Sequence, residues 1–164
     1  MDNVIIRNAT IHDLDSITEI YNDSIQNGTV SFDEPPINKT RYEAYVNGQK
    51  KRSCLLVAEN NSYVLGWTLF DPISERSAYR FTCLGSTYVR KDFKNKKIGT
   101  LLKEQQFENA RKLGYHSIVG EVLKINRKGI DFLLKFGYEI IGELREAGFR
   151  NNNWISLVIF QKFL

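Results

Sequence analysis

The second half of the sequence alternates between strand-like and helix-like segments, and this alternation limits the folds that the chain can adopt. A β-rich run at residues 77–89 precedes a helical stripe that ends at Gly114, and strand-like residues 116–123 follow. A second helical segment, residues 126–136, leads into two more strand-like segments, residues 138–144 and 154–163. Two such β-α-β connections in succession predict a mixed sheet with helices packed on it.

The first half of the sequence adds further strands and helices to this sheet. The predicted elements are a strand at residues 4–6, a helix capped by Thr10 or Asp13, an exposed loop at residues 27–36, a short helix ending near Gly48, and strands at residues 54–59 and 63–70. Gly85 interrupts the run at residues 77–89, which predicts a bulge or a splayed backbone there. We therefore expect an α/β fold of the α+β type, with a mixed central sheet of about seven strands and flanking helices.

Composition and charge limit the class of protein. The 164 residues, 42% of them hydrophobic, suit one domain spanning residues 1–164. The net charge of +4 is spread along most of the chain, and no apolar run reaches the ~18 residues that span a bilayer. Cys54 and Cys83 lie in strand-like runs without metal-ligand spacing, so we expect buried thiols and no metal site. These features predict a soluble, cytoplasmic protein.

The one local charge bias is a lysine-rich turn at residues 91–97, which contains Lys91, Lys94, Lys96 and Lys97. It could be a solvated charge run, a nucleic-acid patch or a phosphate-binding turn. Nucleic-acid binding is the weakest alternative, because the turn lacks interleaved aromatic residues. Its position between a strand and a helix N-terminus favours a phosphate site, since free backbone N–H groups and the helix dipole attract anions there.

Residues 86–118 resemble the coenzyme A pyrophosphate-binding motif of the GNAT superfamily of acyl-CoA-dependent N-acetyltransferases. That motif, Arg/Gln-x-x-Gly-x-Gly/Ala, falls on residues 94–99. Gly99 matches its last glycine, Lys94 is a basic substitute for Arg or Gln, and Lys97 replaces the first glycine. The segments IYNDSIQNGTVSFDEPP, SERSAYRFTCLGSTYV and FGYEIIGELREAGFRNNNW extend the resemblance over nearly the whole chain. They are similar to the phosphinothricin and methionine sulfoximine N-acetyltransferase branch, which includes general L-amino acid N-acetyltransferases.

The resemblance implies a site for acetyl-CoA. Backbone groups of Thr87, Tyr88 and Val89 would pair with the pantetheine arm. Asn126 would contact the same arm, although it could also be only the N-cap of its helix. The pyrophosphate would lie on backbone N–H groups of the turn, at Lys94, Asn95, Lys96, Lys97, Ile98, Gly99 and Thr100.

For the acceptor, the resemblance implies Phe32 in the first long loop and the cluster Arg76, Tyr79 and Arg80. A guanidinium suits an amino acid carboxylate because it donates two parallel hydrogen bonds. Each position has a structural alternative. Arg76 could be a solvated loop residue, and Phe32 and Tyr79 could be core or interface aromatics.

The resemblance also identifies polar positions that this chain has lost. The family glutamate that helps to deprotonate the amine corresponds to Leu84, a His or Tyr near the sulfur corresponds to Leu133, and an aspartate of the last strand corresponds to Ser156. Glu121, on the strand that leads to Asn126, is the nearest replacement base. It could equally be an exposed residue on the outer face of its strand.

The leading hypothesis is therefore an acetyl-CoA-dependent N-acetyltransferase that acts on the primary amine of a small molecule, such as an amino acid or a phosphinothricin-like analogue. The alternative is a catalytically impaired acyl-CoA-binding or sensor protein of the same fold, suggested by Leu84 and Leu133. The resemblance and the aromatic, apolar last strand predict a homodimer. We expect neither nucleic-acid nor membrane partners.

Overall fold

Within the parts of the chain that the structure describes, residues 3–26 and 29–164, seven strands form one sheet. The structure is a computed structural model. In chain order, the elements are β1 (Ile5–Asn8), α1 (Leu14–Ile25), α2 (Thr40–Val46), β2 (Cys54–Asn60), β3 (Tyr63–Pro72), β4 (Thr82–Val89), α3 (Ile98–Lys112), β5 (Ser117–Leu123), α4 (Arg127–Lys135), β6 (Glu139–Arg150) and β7 (Asn153–Phe163). Asn27 and Gly28 of the predicted loop lie outside the described residues.

The strand order is β1-β2-β3-β4-β5-β7-β6, and the β4–β5 pair is the parallel one in an otherwise antiparallel sheet. Helices cover both faces because strand residues alternate between the two sides. On one face, α1 and α2 pack against Val57 and Trp67. On the other, α3 and α4 bury Phe107, Ala110, Ile130 and Leu133 against Phe70, Cys83, Ile118 and Phe160. The predicted mixed sheet with flanking helices is confirmed. Among the described residues, none of the helices has the length and apolarity that crossing a membrane requires.

The sheet opens between β4 and β5. These strands pair only through Thr82–Leu84 and Ser117–Val119, whereas β4 stays paired with β3 as far as Val89. Beyond Gly85, β4 therefore diverges from β5 while remaining a continuous strand. A Cβ at Gly85 would lie 2.6 Å from Cδ1 of Ile118, so a side chain would disturb the packing at the point of divergence. The splayed backbone expected at this glycine is present.

Gln106 attaches α3 to the diverging strand. Its Nε2 lies within hydrogen-bonding distance of Thr68 Oγ1 (2.7 Å), Leu69 O (2.8 Å) and Ser86 O (3.2 Å). Its Oε1 accepts a hydrogen bond from Lys103 Nζ at 2.7 Å. Lys103 is 1% exposed, and burial lowers the pKa of its ammonium group to about 7. The buried hydrogen bonds of Gln106 thus stabilise the sheet at the point where β4 and β5 diverge.

The start of the predicted strand at residues 77–89 was wrong. Residues 77–79 form a single 3₁₀ turn, and β4 begins at Thr82. The backbone N–H of Arg80 donates to Ser77 O at 3.2 Å, and the Arg80 guanidinium lies 4.3 Å from the ring centroid of Phe81. The turn satisfies its own backbone groups locally, which a pattern of alternating side chains does not reveal.

Strand β6 is longer than the segment at residues 138–144 that the sequence predicted. It continues to Arg150 after a register shift against β7 between Leu144 and Gly148. The bulge interrupts the alternation of side chains, so the sequence pattern predicts an end of the strand before the bulge. Asn151 and Asn152 then form the two-residue connection to β7, with φ values of 50° and 58°. Such left-handed pairs favour asparagine and match the twist of a hairpin.

Candidate active site

A cleft of about 570 Å³, which we call the β4 cleft, opens at the carboxyl end of β4, where this strand has left β5. Thr87, Tyr88 and Val89 line one wall, and Phe132 of α4 lies on another. Because β5 does not pair with this part of β4, backbone N–H and C=O groups along the strand edge are available to a ligand. An extended, amide-containing ligand could therefore bind as an additional strand.

The turn from β4 into α3 contributes the N-terminus of a 15-residue helix to this cleft. Lys97 is the N-cap residue and has φ 63°, ψ 0°, a left-handed conformation that glycine adopts more readily. Gly99 lies against Phe132, since a Cβ there would be 3.3 Å from the aromatic ring. The first N–H groups of a helix have no intrahelical partner, so they can bind an anion.

Four lysine side chains line the β4 cleft: Lys94 and Lys97 from the turn, and Lys128 and Lys135 from α4. Each contributes a positive charge to the lining of the cleft. A ligand with several phosphate groups is the chemical class that fits this arrangement. A long thioester cofactor with a pyrophosphate, such as the one predicted from the sequence, combines both requirements of the cleft.

The structure distinguishes among the residues predicted to hold the cofactor. Ile98 is buried in the core and does not line the cleft. Lys96 is also absent from the lining, although its Nζ lies 4.9 Å from the ring centroid of Phe93, which does line the cleft. Asn126 lines the cleft and also caps α4, because its Oδ1 accepts a hydrogen bond from the Gly129 N–H at 3.0 Å. The other predicted residues line the cleft together: Thr87, Tyr88, Val89, Lys94, Asn95, Lys97, Gly99 and Thr100.

Sequence reasoning missed the contribution of α4. Lys128, Phe132 and Lys135 all line the β4 cleft. Their spacing of four and three residues places them on one face of the helix. This mixed basic and aromatic stripe was a usable signal, because the helix following a parallel strand begins at the same edge of the sheet.

A second cleft of about 220 Å³, which we call the aromatic cleft, lies on the α1–α2 face of the sheet. Its walls include Tyr21, Tyr42, Tyr45 and Trp67, and it shares one lining residue, Tyr88, with the β4 cleft. The ring of Tyr88 lies 4.8 Å from that of Tyr21 and 4.7 Å from that of Trp67, measured between centroids. Burial raises the pKa of Tyr21, so its hydroxyl remains a neutral hydrogen-bonding group.

Arg41 and Asp71 are the charged residues that line the aromatic cleft within the described parts of the chain. The Asp71 carboxylate accepts hydrogen bonds from Tyr45 OH at 2.9 Å and from Ser53 Oγ at 2.5 Å. Burial, assisted by the hydrogen bond to Asp71, raises the pKa of Tyr45 to about 12. Arg41 Nη1 donates to Asp33 Oδ2 at 2.5 Å, which leaves other guanidinium N–H groups for a ligand.

Arg150, at the end of β6, holds the loop that follows α1. Its guanidinium donates to the backbone oxygens of Ile25, Ser31 and Asp33 at 3.2, 3.0 and 2.8 Å. Phe32 of the same loop packs on Gly148, where a Cβ would lie 2.3 Å from the phenyl ring. Phe32, predicted to contact the acceptor, thus packs on β6 and does not line either cleft.

Arg76, Tyr79 and Arg80 lie on the connection between β3 and β4, which begins two residues after Asp71. They are exposed, and none of them lines the β4 cleft or the aromatic cleft. Arg80 Nη1 donates to Ser77 O at 3.1 Å, within the same connection. Their role in binding an acceptor remains a prediction.

Glu121 and Leu84 are on the same face of the sheet. Leu84 is the parallel neighbour of Val119, and Glu121 follows Val119 at the strand period of two. Glu121 is exposed and lies outside the lining of both clefts, whereas Leu84 lines the aromatic cleft. The register of β3 places Asp71 directly opposite Leu84.

Two other positions singled out in the sequence make structural contacts. Leu133 is buried on α4, and its Cδ1 would be 2.7 Å from a Cβ at Gly120, so the side chain fills the space above β5. The Ser156 hydroxyl accepts a hydrogen bond from the Glu146 N–H at 3.2 Å, at the bulge of β6. Neither residue lines the β4 cleft or the aromatic cleft.

Comparison with known proteins agrees with this architecture. The model of the family described as acetyltransferase (GNAT) domain matches residues 6–159. The L-methionine sulfoximine/L-methionine sulfone acetyltransferase of Pseudomonas paraeruginosa is 28% identical over 158 residues, covering 95% of this chain and 92% of the relative. A crystal structure of an N-acetyltransferase from Staphylococcus aureus Mu50 superimposes with a TM-score of 0.91, 28% identity and 99% coverage of both chains. A phosphinothricin acetyltransferase from Sinorhizobium meliloti, crystallised in complex with AcCoA, gives a TM-score of 0.88 at 25% identity, covering 98% of this chain and 88% of that one.

Proposed function

This chain belongs to the GNAT acetyltransferase family, and we propose that its acceptor is the primary amine of an amino acid or a close analogue. It is an N-acetyltransferase that uses acetyl-CoA. Its relatives include an acetyltransferase named for L-methionine sulfoximine and L-methionine sulfone and another named for phosphinothricin, all of which are amino acid analogues. These names support the acceptor class.

The β4 cleft is the proposed site for acetyl-CoA, which brings an activated acetyl thioester to the acceptor. The free edge of β4 at residues 87–89 suits the amides of the pantetheine arm, and Asn126 lies at the opposite wall. The turn at residues 94–100 and the lysines of α4 suit the phosphates. Lys96 and Ile98 would contribute backbone groups, because neither is among the residues that line the cleft.

The acceptor is proposed to bind in the aromatic cleft. The observation that supports this proposal is that Tyr88 lines both clefts, and that the aromatic cleft has Arg41 and Asp71 as opposite charges among aromatic walls. An ammonium group and a carboxylate on an apolar body complement those charges. Arg76, Tyr79 and Arg80 remain proposed contacts of the acceptor, because their connection begins beside this cleft. Phe32, which packs on Gly148, remains one on the strength of the family resemblance alone.

Acetyl transfer requires a neutral amine, so a group must take the proton of the ammonium form. Glu121 is the base suggested by the sequence, and it projects from the face that bears the aromatic cleft. Its exchange for glutamine tests this assignment. If Glu121 is the base, Glu121→Gln lowers kcat about 10²- to 10⁴-fold and leaves acetyl-CoA affinity unchanged.

A coenzyme A release assay tests the proposed acceptor class. Purified protein is incubated with acetyl-CoA and a panel of amines, and the free thiol is measured while mass spectrometry identifies the acetylated product. We expect L-methionine sulfone and phosphinothricin to be acetylated on nitrogen, and polyamines and aminoglycosides to be poor acceptors. Preferential acetylation of an acceptor that lacks a carboxylate or phosphinate would refute the proposed class.

We also propose that residues 1–164 act as one domain in a cytoplasmic homodimer. The support for the dimer is a row of apolar side chains on β6 and β7, each more than half exposed: Ile140, Ile141, Leu144, Phe149 and Trp154. Apolar patches of this kind commonly form subunit interfaces. Light scattering after gel filtration tests the dimer, with Trp154→Lys expected to give a monomer. Cell fractionation tests the location.

A further inference from the structure

The aromatic cleft contains a carboxylate that lacks a cationic partner among the described residues. Asp71 forms no ion pair within residues 3–26 and 29–164, unlike Asp33, which is bound by Arg41. Its two oxygens are instead held by the hydroxyl groups of Tyr45 and Ser53, which are neutral donors. These bonds fix the orientation of the carboxylate without neutralising its charge. An ammonium group entering the cleft would supply the missing positive charge.

The register of the sheet explains why this carboxylate is well placed. Asp71 of β3 faces Leu84 of β4 in an antiparallel pair, and both residues line the aromatic cleft. Directly opposite side chains in such a pair have Cβ atoms about 4.5–5.5 Å apart. Tyr88, two strand periods beyond Leu84, lines the β4 cleft as well. Asp71 therefore approaches from β3 the same volume that a side chain at residue 84 would reach from β4.

We propose that Asp71 binds the ammonium group of the acceptor and takes its proton, so that the neutral amine can react. This inference builds on the proposed acceptor class. In the step, the proton moves from nitrogen to a carboxylate oxygen, and the nitrogen lone pair forms a bond to the carbonyl carbon of the acetyl thioester. The carbon–sulfur bond breaks with its electrons on sulfur. The thiolate takes the second nitrogen proton, Asp71 releases the first to water, and the products are the N-acetyl amide, coenzyme A and one proton.

Asp71 is a better candidate for this role than Glu121. Glu121 projects from the correct face of β5, but it is exposed and lies outside the lining of both clefts. Asp71 lines the cleft and is held by two hydrogen bonds, so its position is defined before the acceptor binds. A base is effective only when it lies within hydrogen-bonding reach of the proton.

The surroundings of Asp71 leave a clear pH window for a test. The ionisable neighbours are Arg41, Tyr42 and Tyr45 from α2, Tyr21 from α1, Tyr88 from β4, and Tyr115 from the segment after α3. Burial raises the pKa of each of these tyrosines, to about 12 for Tyr45 and Tyr115, and Arg41 remains charged. These neighbours therefore keep their charge states between pH 6 and 9, the range in which the fraction of free amine rises.

The experiment compares Asp71→Asn, Glu121→Gln and the control Asp23→Asn, an exposed position on α1, with L-methionine sulfone as acceptor. We expect Asp71→Asn to lower kcat/KM about 10²- to 10⁴-fold at pH 7. This loss should become smaller as the pH rises, because a larger fraction of the amine is then free of its proton. Loss caused only by misfolding would not depend on the amine. The amide of the same amino acid, whose ammonium loses its proton more readily, should therefore show a smaller loss.

A second variant tests the position of the carboxylate. Leu84→Glu in the Asp71→Asn background returns a carboxylate to the cleft from the opposite strand. We expect the double variant to have a kcat/KM at least tenfold higher than that of Asp71→Asn alone. Calorimetry in the presence of coenzyme A provides a readout that does not need turnover. Wild-type protein should bind L-methionine sulfone more tightly than Asp71→Asn does, while the desamino analogue should bind both equally.

The outcomes separate this inference from the proposed function. If the wild-type protein acetylates amino acid analogues and Asp71→Asn is as active at every pH, Asp71 is not the base and the inference fails alone. A large loss for Glu121→Gln with none for Asp71→Asn would assign the role to Glu121. If the wild-type protein does not turn over, equal or absent acceptor binding in both proteins overturns the inference, and a selective loss in Asp71→Asn supports it.

Discussion

Replacing Lys103 with methionine should make the stability of this protein less dependent on pH. Lys103 is 1% exposed, and its Nζ has a hydrogen bond to Gln106 Oε1 at 2.7 Å as its polar contact within the described residues. Burial lowers the pKa of this lysine from the ordinary value of 10.5 to about 7. Methionine has a similar length, fits an apolar core and cannot be charged.

The sign of the effect follows from proton binding. Between about pH 7 and 10.5 the unfolded chain holds a proton on Lys103 that the folded protein has released, so the free energy of unfolding rises with pH. Below pH 7 both states are protonated, and the burial of the charge is a constant penalty. Each pH unit inside the window changes the free energy of unfolding by up to about 1.4 kcal/mol. From pH 6 to 8.5, the wild-type protein should gain about 2 kcal/mol from this residue.

Urea denaturation followed by circular dichroism measures this difference. We expect Lys103→Met to unfold at a higher urea concentration than the wild type at pH 6, with the advantage shrinking by about 2 kcal/mol at pH 8.5. Lys112→Met is the control, because Lys112 is on the same helix with its side chain 65% exposed. The range stops at pH 8.5 because burial raises the pKa of Cys83 to about 12, and such a group contributes the opposite slope above pH 9. If the wild type and Lys103→Met change equally with pH, Lys103 is charged inside the fold and the reasoning is wrong.

Four further predictions concern acetyl-CoA binding, Lys97, Gly148 and Arg150. Saturating acetyl-CoA at 100 times Kd should raise the free energy of unfolding by about 2.7 kcal/mol, and an unchanged thermal transition would contradict binding at the β4 cleft. Lys97→Gly, which relieves the left-handed N-cap, should stabilise the fold by about 1 kcal/mol and change acetyl-CoA affinity by no more than about tenfold; a hundredfold gain in calorimetry would show that Lys97 obstructs the site. Gly148→Ala should displace Phe32 and lower stability by about 1–3 kcal/mol, whereas Gly142→Ala on the same strand, with no atom within 4 Å of its Cβ, should change it by less than about 0.5 kcal/mol in thermal denaturation. Arg150→Met leaves three backbone carbonyls without their donor and should lower stability by about 2–4 kcal/mol while raising KM for the acceptor; an unchanged KM would mean that the loop does not shape the aromatic cleft.

The sequence predicted the elements whose signals are local. Gly114 and Gly137 lie just beyond α3 and α4 with φ values of 78° and 74°, as expected for residues that end helices. Gly85 marks the position where β4 leaves β5. The lysine-rich turn could be placed before α3 because its composition and the helical stripe lie next to each other in the chain. Most residues expected in the β4 cleft come from this continuous segment, and they do lie together.

The aromatic cleft could not be predicted in the same way. It combines Tyr21 of α1, Arg41 and Tyr45 of α2, Asp71 of β3 and Leu84 of β4, which are separated by up to sixty-three positions. Each of these residues alone fits an ordinary surface or core position. The pairing of Asp71 with Leu84 depends on the register of β3 and β4, which a single sequence does not specify. For this reason Leu84 suggested a lost carboxylate, while the carboxylate across from it was missed.

The short β4–β5 pairing makes the sheet two half-sheets, each built from one continuous stretch of chain. Strands β1 to β4 lie within residues 5–89, and β5 to β7 within residues 117–163, so each half can complete its own ladder from near neighbours. The β4 cleft forms only when the two half-sheets dock, because each half-sheet contributes one of its walls. A ligand bound across the gap contacts both half-sheets and therefore stabilises their docked arrangement. Substitutions at the joint, at Gly85 or Ile118 for example, will therefore weaken binding without touching the ligand.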